Sequence, residues 1–193
     1  MSKILQKVMK SEKGIKELLI EMKDLSELAV DLAYSSLLFN SREIALEVGL
    51  IEKEIDEKRM EIEARSILSC PSSENIDAMV TALRVAGFID RVSDAAQSIA
   101  DLIVEGTGSG AFVAEVFKET DETIAKIEVS TSGKISDLTV DQLEDSTSVT
   151  TIAIKRKNKW VYDPKPLFRV KPGDIMIVVG PNDDIKKFKS MNR

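Results

Sequence analysis

The chain offers 33 carboxylates and no histidine, and that contrast sets the chemistry open to it. Without imidazole there is no Ser-His or Cys-His catalytic pair, none of the usual zinc or haem ligands, and no side chain that titrates readily near neutrality. Any metal chemistry falls to carboxylate oxygens. Three acidic pairs have i, i+4 spacing, which puts both side chains on one helix face a turn apart: Glu27 and Asp31, Glu52 and Asp56, and Asp90 and Asp94. Two such pairs facing each other across a bundle could gather oxygen ligands around a divalent cation or an iron. In so acidic a chain the same spacing also describes an ordinary solvated helix face.

A second constellation has the opposite sign. Lys155, Arg156, Lys157, Lys159, Lys165, Arg169 and Lys171 lie among Trp160, Tyr162 and Phe168. Basic side chains interleaved with aromatics can grip phosphates and stack bases, although a hairpin with alternating solvated positions reads the same way. Three other motifs carry less. Gly133-Lys134 lacks the earlier glycine of a phosphate loop and has Ile135 where Ser or Thr is required. Gly106-Thr-Gly-Ser-Gly110 followed by Ala111 nominally fits a dinucleotide fingerprint, but a helical pattern precedes it where a strand is needed. Cys70, the single cysteine, has no internal disulfide partner and stands before Pro71 as an incidental or structural residue, which suits a reducing compartment.

The elements that must position these residues fall into two groups. Ile15, Leu18, Leu19, Met22, Leu25, Ala29, Leu32 and Ala33 recur at three- and four-residue steps and predict a helix to about Phe39. Asn40 with Glu43 three residues on predicts the cap of a second helix, whose seam is Ile44, Val48, Ile51, Ile55 and Ile62. Pro71 ends it, and Ser72 or Ser73 can cap a third helix that runs through Ile76, Leu83, Ala96 and Ile103 to Gly106. Three long helices with short connections predict an antiparallel bundle. Beyond the glycine run, alternation over Ile124–Ser130, Val149–Arg156 and Trp160–Tyr162, and a doubly apolar Ile175–Val179, predict strands. Ser136–Leu143 is expected as a short helix, and Asn182 as the cap of a last one.

The fold class expected is therefore α+β in two domains. Residues 1–105 form the helical bundle, 106–111 a linker and 112–193 a small α+β unit. Charge divides the same way: 13 basic against 20 acidic residues through Glu105, a net −7, and 14 against 13 beyond it, a net +1. The acidic balance disfavours general nucleic-acid binding. No stretch approaches the ~18 apolar residues of a membrane span, and the lysines interleaved through Met1–Ile20 resemble neither a span nor a signal sequence.

The residues also carry a resemblance. From about Leu18 to Glu105, with Glu52-Lys-Glu-Ile-Asp56 and Asp90-Arg-Val-Ser-Asp94, the chain resembles one three-helix repeat of the PhoU family. Asp90 stands where that family usually has Glu, and one repeat is present where PhoU has two, a number that a homodimer would restore. The resemblance implies metal binding at Glu52, Asp56, Asp90 and Asp94. The remainder resembles the TrkA-C regulatory domain of RCK potassium-channel subunits, through Ser132-Gly-Lys-Ile-Ser-Asp-Leu138, Thr151-Ile-Ala-Ile-Lys-Arg156 and Val170-Lys-Pro-Gly-Asp-Ile-Met-Ile-Val-Val-Gly180. It implies pairing of copies and a small anionic effector such as cyclic di-AMP, with Arg156 and Asn158 as contacts. No NAD is expected, because the Rossmann domain that usually precedes TrkA-C is not seen.

These resemblances imply a non-catalytic regulatory subunit of a cation transport system, most simply potassium. It would be cytoplasmic or peripheral at the inner face of the membrane, and would act as a homo-oligomer on a membrane transporter or channel. Two other readings stand beside it. One is a nucleotide- or nucleic-acid-binding protein using the 155–171 hairpin. The other is a carboxylate-bridged metalloenzyme, against which the missing fourth long helix and missing Glu-x-x-His pairs count.

Overall fold

In the computed structural model, residues 8, 13–68, 76–107, 110–117, 120–157 and 159–193 are described, and the chain divides into two compact units at Gly108/Ser109. The division falls inside the 106–111 segment. Asn158, Cys70, Pro71, Ser72 and Ser73 lie outside the described residues.

The first unit is built from α1 (Ile15–Leu38), α2 (Arg42–Leu68) and α3 (Ile76–Val104), each packed against the other two. The predicted stripes of α1 and α2 are largely buried, whereas on α3 Ala96 and Ile103 are buried, Leu83 is half-buried and Ile76 is exposed. Leu18, Met22, Ala29, Leu32 and Ala33 of α1 meet Ile44, Val48, Ile51, Ile55 and Ile62 of α2, while α3 contributes Ala86, Ala96, Ala100 and Ile103. A fully buried Leu or Ile contributes about 1.5–3 kcal/mol, so the larger side chains of α1 and α2 supply most of the apolar stabilisation. Ser26, Ser35, Ser36, Ser66 and Ser93 are buried as well, and each hydroxyl donates to a carbonyl three or four residues earlier on its own helix.

The turn between α1 and α2 differs from the expected cap. Asn40 is left-handed, with φ 47°, its N–H bonds Leu37 O, and the next N–H, of Ser41, bonds Ser36 O at 2.8 Å. That is a Schellman motif, so Asn40 closes α1 and Ser41 opens α2 by accepting from Ile44 N–H at 3.5 Å. Asparagine serves here because it tolerates the left-handed region. The end of α3 repeats the pattern at Gly106 and Thr107, whose N–H groups reach Ile103 O and Leu102 O.

The second unit begins with α4 (Gly110–Phe117), a helix not expected from the sequence, because its opening residues belong to a glycine run with linker character. Then follow β1 (Glu122–Glu128), α5 (Val140–Thr147), β2 (Thr150–Arg156), β3 (Lys159–Tyr162), β4 (Ile175–Pro181) and α6 (Asn182–Met191). The sheet is antiparallel throughout, in the order β1-β4-β2-β3, with a register shift between Thr151 and Ala153 where β2 meets β4. β4 is central, which matches its double apolar character: Met176, Ile177 and Val178 are all buried. The core unites sheet and helices through Ile127, Ile135, Leu143, Ile154, Met176, Val178, Ile185 and Phe188.

Two helix starts are corrected. The helix expected over Ser136–Leu143 begins at Val140, because Thr139 forms a capping box with Gln142 and Asp137 turns the chain with φ 65°. At α6, Asn182 makes no side-chain cap. Its Nδ2 instead donates to Thr120 O, and the N-cap position falls to Pro181.

Candidate functional site

Two sets of charged residues were singled out by type and spacing, and each lies within one unit. On α2, Asp56, Arg59 and Glu63 follow at three- and four-residue steps and share a face. Arg59 lies at the centre. Its Nη2 donates to Asp56 Oδ1 at 2.8 Å, its Nη1 to Glu63 Oε1 at 2.7 Å, and its Nε lies 3.1 Å from Asp90 Oδ1 on α3. That last contact is an ion pair rather than an aligned hydrogen bond, since Nε is buried without a hydrogen-bond partner.

The structure therefore brings together Asp56 and Asp90, one from each predicted pair, through a guanidinium. Glu52 and Asp94 sit a turn further along their own helices. Glu52's carboxyl titrates above its usual range, first because burial disfavours the anion and then because Asp94, Asp56 and Asp90 repel it. Asp90 is also raised, by burial above all, with Arg59 opposing and Asp94 adding to the shift. Among the described residues, no group of three or more Asp, Glu, His and Cys side chains could hold a metal ion. Oxygens directed at the separate nitrogens of a planar fork do not converge on one point, as ligands of a hard cation must. The residues present do not fit a metal centre. Glu27, of the pair on α1, is engaged by Lys23 at 2.7 Å.

The second set surrounds the turn before β4. Lys171-Pro-Gly-Asp174 closes with Asp174 N–H to Lys171 O at 3.1 Å and Gly173 at φ 80°, the type II geometry for which glycine is suited at the third position. The Asp174 side chain is buried. It accepts from Lys171 N–H at 2.8 Å and takes Arg156 in a fork, Nε to Oδ1 at 2.9 Å and Nη2 to Oδ2 at 2.7 Å. Arg156 also donates to Arg169 O and lies over the Phe168 ring, 4.9 Å from its centroid. These bonds hold the Arg156 guanidinium further above its ordinary range, Asp174 being the main cause.

Other members of the basic stretch are also engaged internally. Arg169 donates to Asp137 O, Lys155 lies over Trp160 at 5.3 Å, and Trp160 stacks on Tyr162 at 6.0 Å. Lys157, Lys159, Lys165 and Lys171 are exposed. Ser132-Gly133-Lys134 packs against the chain end instead: Lys134 N–H bonds Met191 O, and a Cβ on Gly133 would lie 2.8 Å from Asn192 O.

Sequence reasoning missed Arg59 and Asp174. Arg59 was legible, since it stands three residues after Asp56 and four before Glu63. Asp174 carried no comparable signal, because its partner is 18 residues away and meets it only through the sheet.

Residues 19–103 match the family model of the PhoU domain, and residues 124–192 match that of the TrkA-C domain. The chain thus carries, in order, a PhoU-matching region and a TrkA-C-matching region. Its PhoU domain spans most of the three helices and holds the Arg59 cluster, and its TrkA-C domain holds the Arg156–Asp174 fork. A curated relative, the phosphate-specific transport system accessory protein PhoU homolog of Zymomonas mobilis, is 29% identical over 93 residues, 45% of this chain. The chain spans 38% of that relative's length. Among solved structures, the RCK_C domain dimer of S. agalactiae BusR in complex with c-di-AMP is similar at 24% identity and a TM-score of 0.33, covering 35% of this chain and 92% of that one. The RCK C domain of the potassium transport protein KtrA, in complex with the same dinucleotide, is similar at 23% identity and a TM-score of 0.33, covering 40% and 88%. No helix among the described residues is long and apolar enough to cross a membrane.

Proposed function

We propose that the protein is a non-catalytic regulatory subunit of a cation transport system, potassium being the favoured ion, in which the TrkA-C domain takes up a small anionic effector. The observation that carries this reading is the order of the two domains: PhoU and TrkA-C domains are both regulatory types, and here they share one chain. The charge distribution supports it. The TrkA-C half presents exposed Lys157, Lys159, Lys165 and Lys171 beside an arginine held in place by Asp174, which is a surface suited to phosphate. Arg156 keeps 35% of its side chain exposed, so it can meet a ligand while its fork remains on Asp174.

In this reading the protein acts as a homodimer, and the effector favours one dimer arrangement over another, as regulation by binding requires. The membrane transporter or channel would read that arrangement. Titration calorimetry of the full chain with cyclic di-AMP, the dinucleotide held by the two RCK_C structures, tests the proposal. Saturable binding is expected, weakened at least ~10-fold, or about 1.4 kcal/mol, in the Lys157→Ala/Lys159→Ala variant. Absence of both nucleotide binding and self-association in sedimentation would remove the basis of the reading.

A further inference from the structure

We infer that Arg59 takes the place of a metal ion in this PhoU domain, so that Asp56 and Asp90 are bridged from within and the acidic face of the bundle is closed to divalent cations. The inference concerns the bundle alone and stands apart from effector binding by the TrkA-C domain.

The geometry divides the two acidic pairs in an unexpected way. Each pair gives one carboxylate to the same guanidinium, Asp56 from α2 at 2.8 Å and Asp90 from α3 at 3.1 Å, with Glu63 as a third partner at 2.7 Å. A divalent cation at this position would need those oxygens turned inward to a single centre, ~2.0–2.6 Å from each. Arg59 occupies the volume that such a centre requires. Its charge is permanent over any physiological pH, so the competition is never relieved by deprotonation.

The other member of each pair, Glu52 or Asp94, is left without a cation in the cluster, and the two repel. Two carboxylates with no third protein ligand leave a cation to fill most of its shell with water, which makes a weak site. The cluster thus has the acids of a metal site and the packing of an ion-pair network. Arg59 does in this chain what a bound ion would do: it links α2 to α3 across an otherwise repulsive face.

Titration of the purified full chain with manganese chloride, followed by calorimetry and by thermal melting, tests the inference. The wild-type protein is expected to show no saturable site below ~1 mM and no change of Tm with either manganese or EDTA. Arg59→Gln, which removes the guanidinium and leaves every carboxylate, is expected to bind manganese at least ~10-fold more tightly than wild type and to recover lost Tm on its addition. Saturable micromolar binding to wild type that weakens in Glu52→Gln or Asp94→Asn would overturn the inference. So would an Arg59→Gln protein that folds and gains no affinity. Should Arg59→Gln not fold, the wild-type titration decides the matter by itself.

Discussion

At the scale of single residues, the strongest commitments in this protein are made by charged groups that are partly or wholly out of water. Asp174 is 1% exposed and satisfies both a turn N–H and an arginine fork. Asp174→Ala is expected to cost the full chain about 3 kcal/mol, because Arg156 and Lys171 N–H lose their partner together. Urea denaturation followed by tryptophan emission reads this directly, since Trp160 pairs with Lys155 next to Arg156. Glu52 gives a prediction of opposite sign. Its folded-state pKa is raised, so between its unfolded and folded pKa values the native state binds more protons than the unfolded one, and stability falls as pH rises through that window. Glu52→Gln cannot ionise. Its stability relative to wild type should therefore rise from acid to neutral pH, and a difference that shrinks instead would show that Glu52 is stabilised as the anion. Glu21 behaves the other way. Its pKa is lowered by hydrogen bonds from Lys13 and Lys58, so its contribution is present above its unfolded pKa and is lost as pH falls through the folded one.

At the scale of elements, the sequence disclosed the periodicities and concealed the junctions. The stripes of α1 and α2 and the doubly apolar β4 were legible because burial on one face, or on both, leaves a mark at every second or every third and fourth position. Asn40, Asn182 and Ser136 misled because polar residues that favour caps also favour left-handed turns and backbone bonds elsewhere, and only the tertiary path selects among these uses. α4 was hidden behind glycines that read as a linker. Of the candidate sites, the acidic spacing and the place of Arg59 between Asp56 and Glu63 were visible, but that Asp90 would share the guanidinium was not, since that depends on α3 meeting α2 at one height. Thr139 tests the corrected boundary. Thr139→Ala breaks a complete capping box and should cost about 1 kcal/mol, measured by chemical denaturation, whereas Ser136→Ala should change little.

At the scale of the molecule, each unit has its own buried apolar set: the isoleucine and leucine seam among the three helices, and the cluster around Phe188 and Leu143 on the sheet. Residues 1–108 and 109–193 expressed separately are therefore expected to fold, each giving a cooperative melt. A fragment lacking one would show that its core is incomplete without the other. The net charges of −7 and +1 now attach to different surfaces, an acidic helical face bridged by Arg59 and a lysine-bearing sheet end.

Alanine and serine line the seams of the bundle beside its leucines and isoleucines, and at those positions small side chains offer few knobs to resist one helix gliding along another. Resistance to axial slip must then come from contacts that are directional. Lys58 reaches Glu21 on α1 at 2.8 Å, and the next residue, Arg59, reaches Asp90 on α3 at 3.1 Å. Consecutive residues on one turn of α2 thus pin both neighbours at the same level, like a single bolt through three sliding rods.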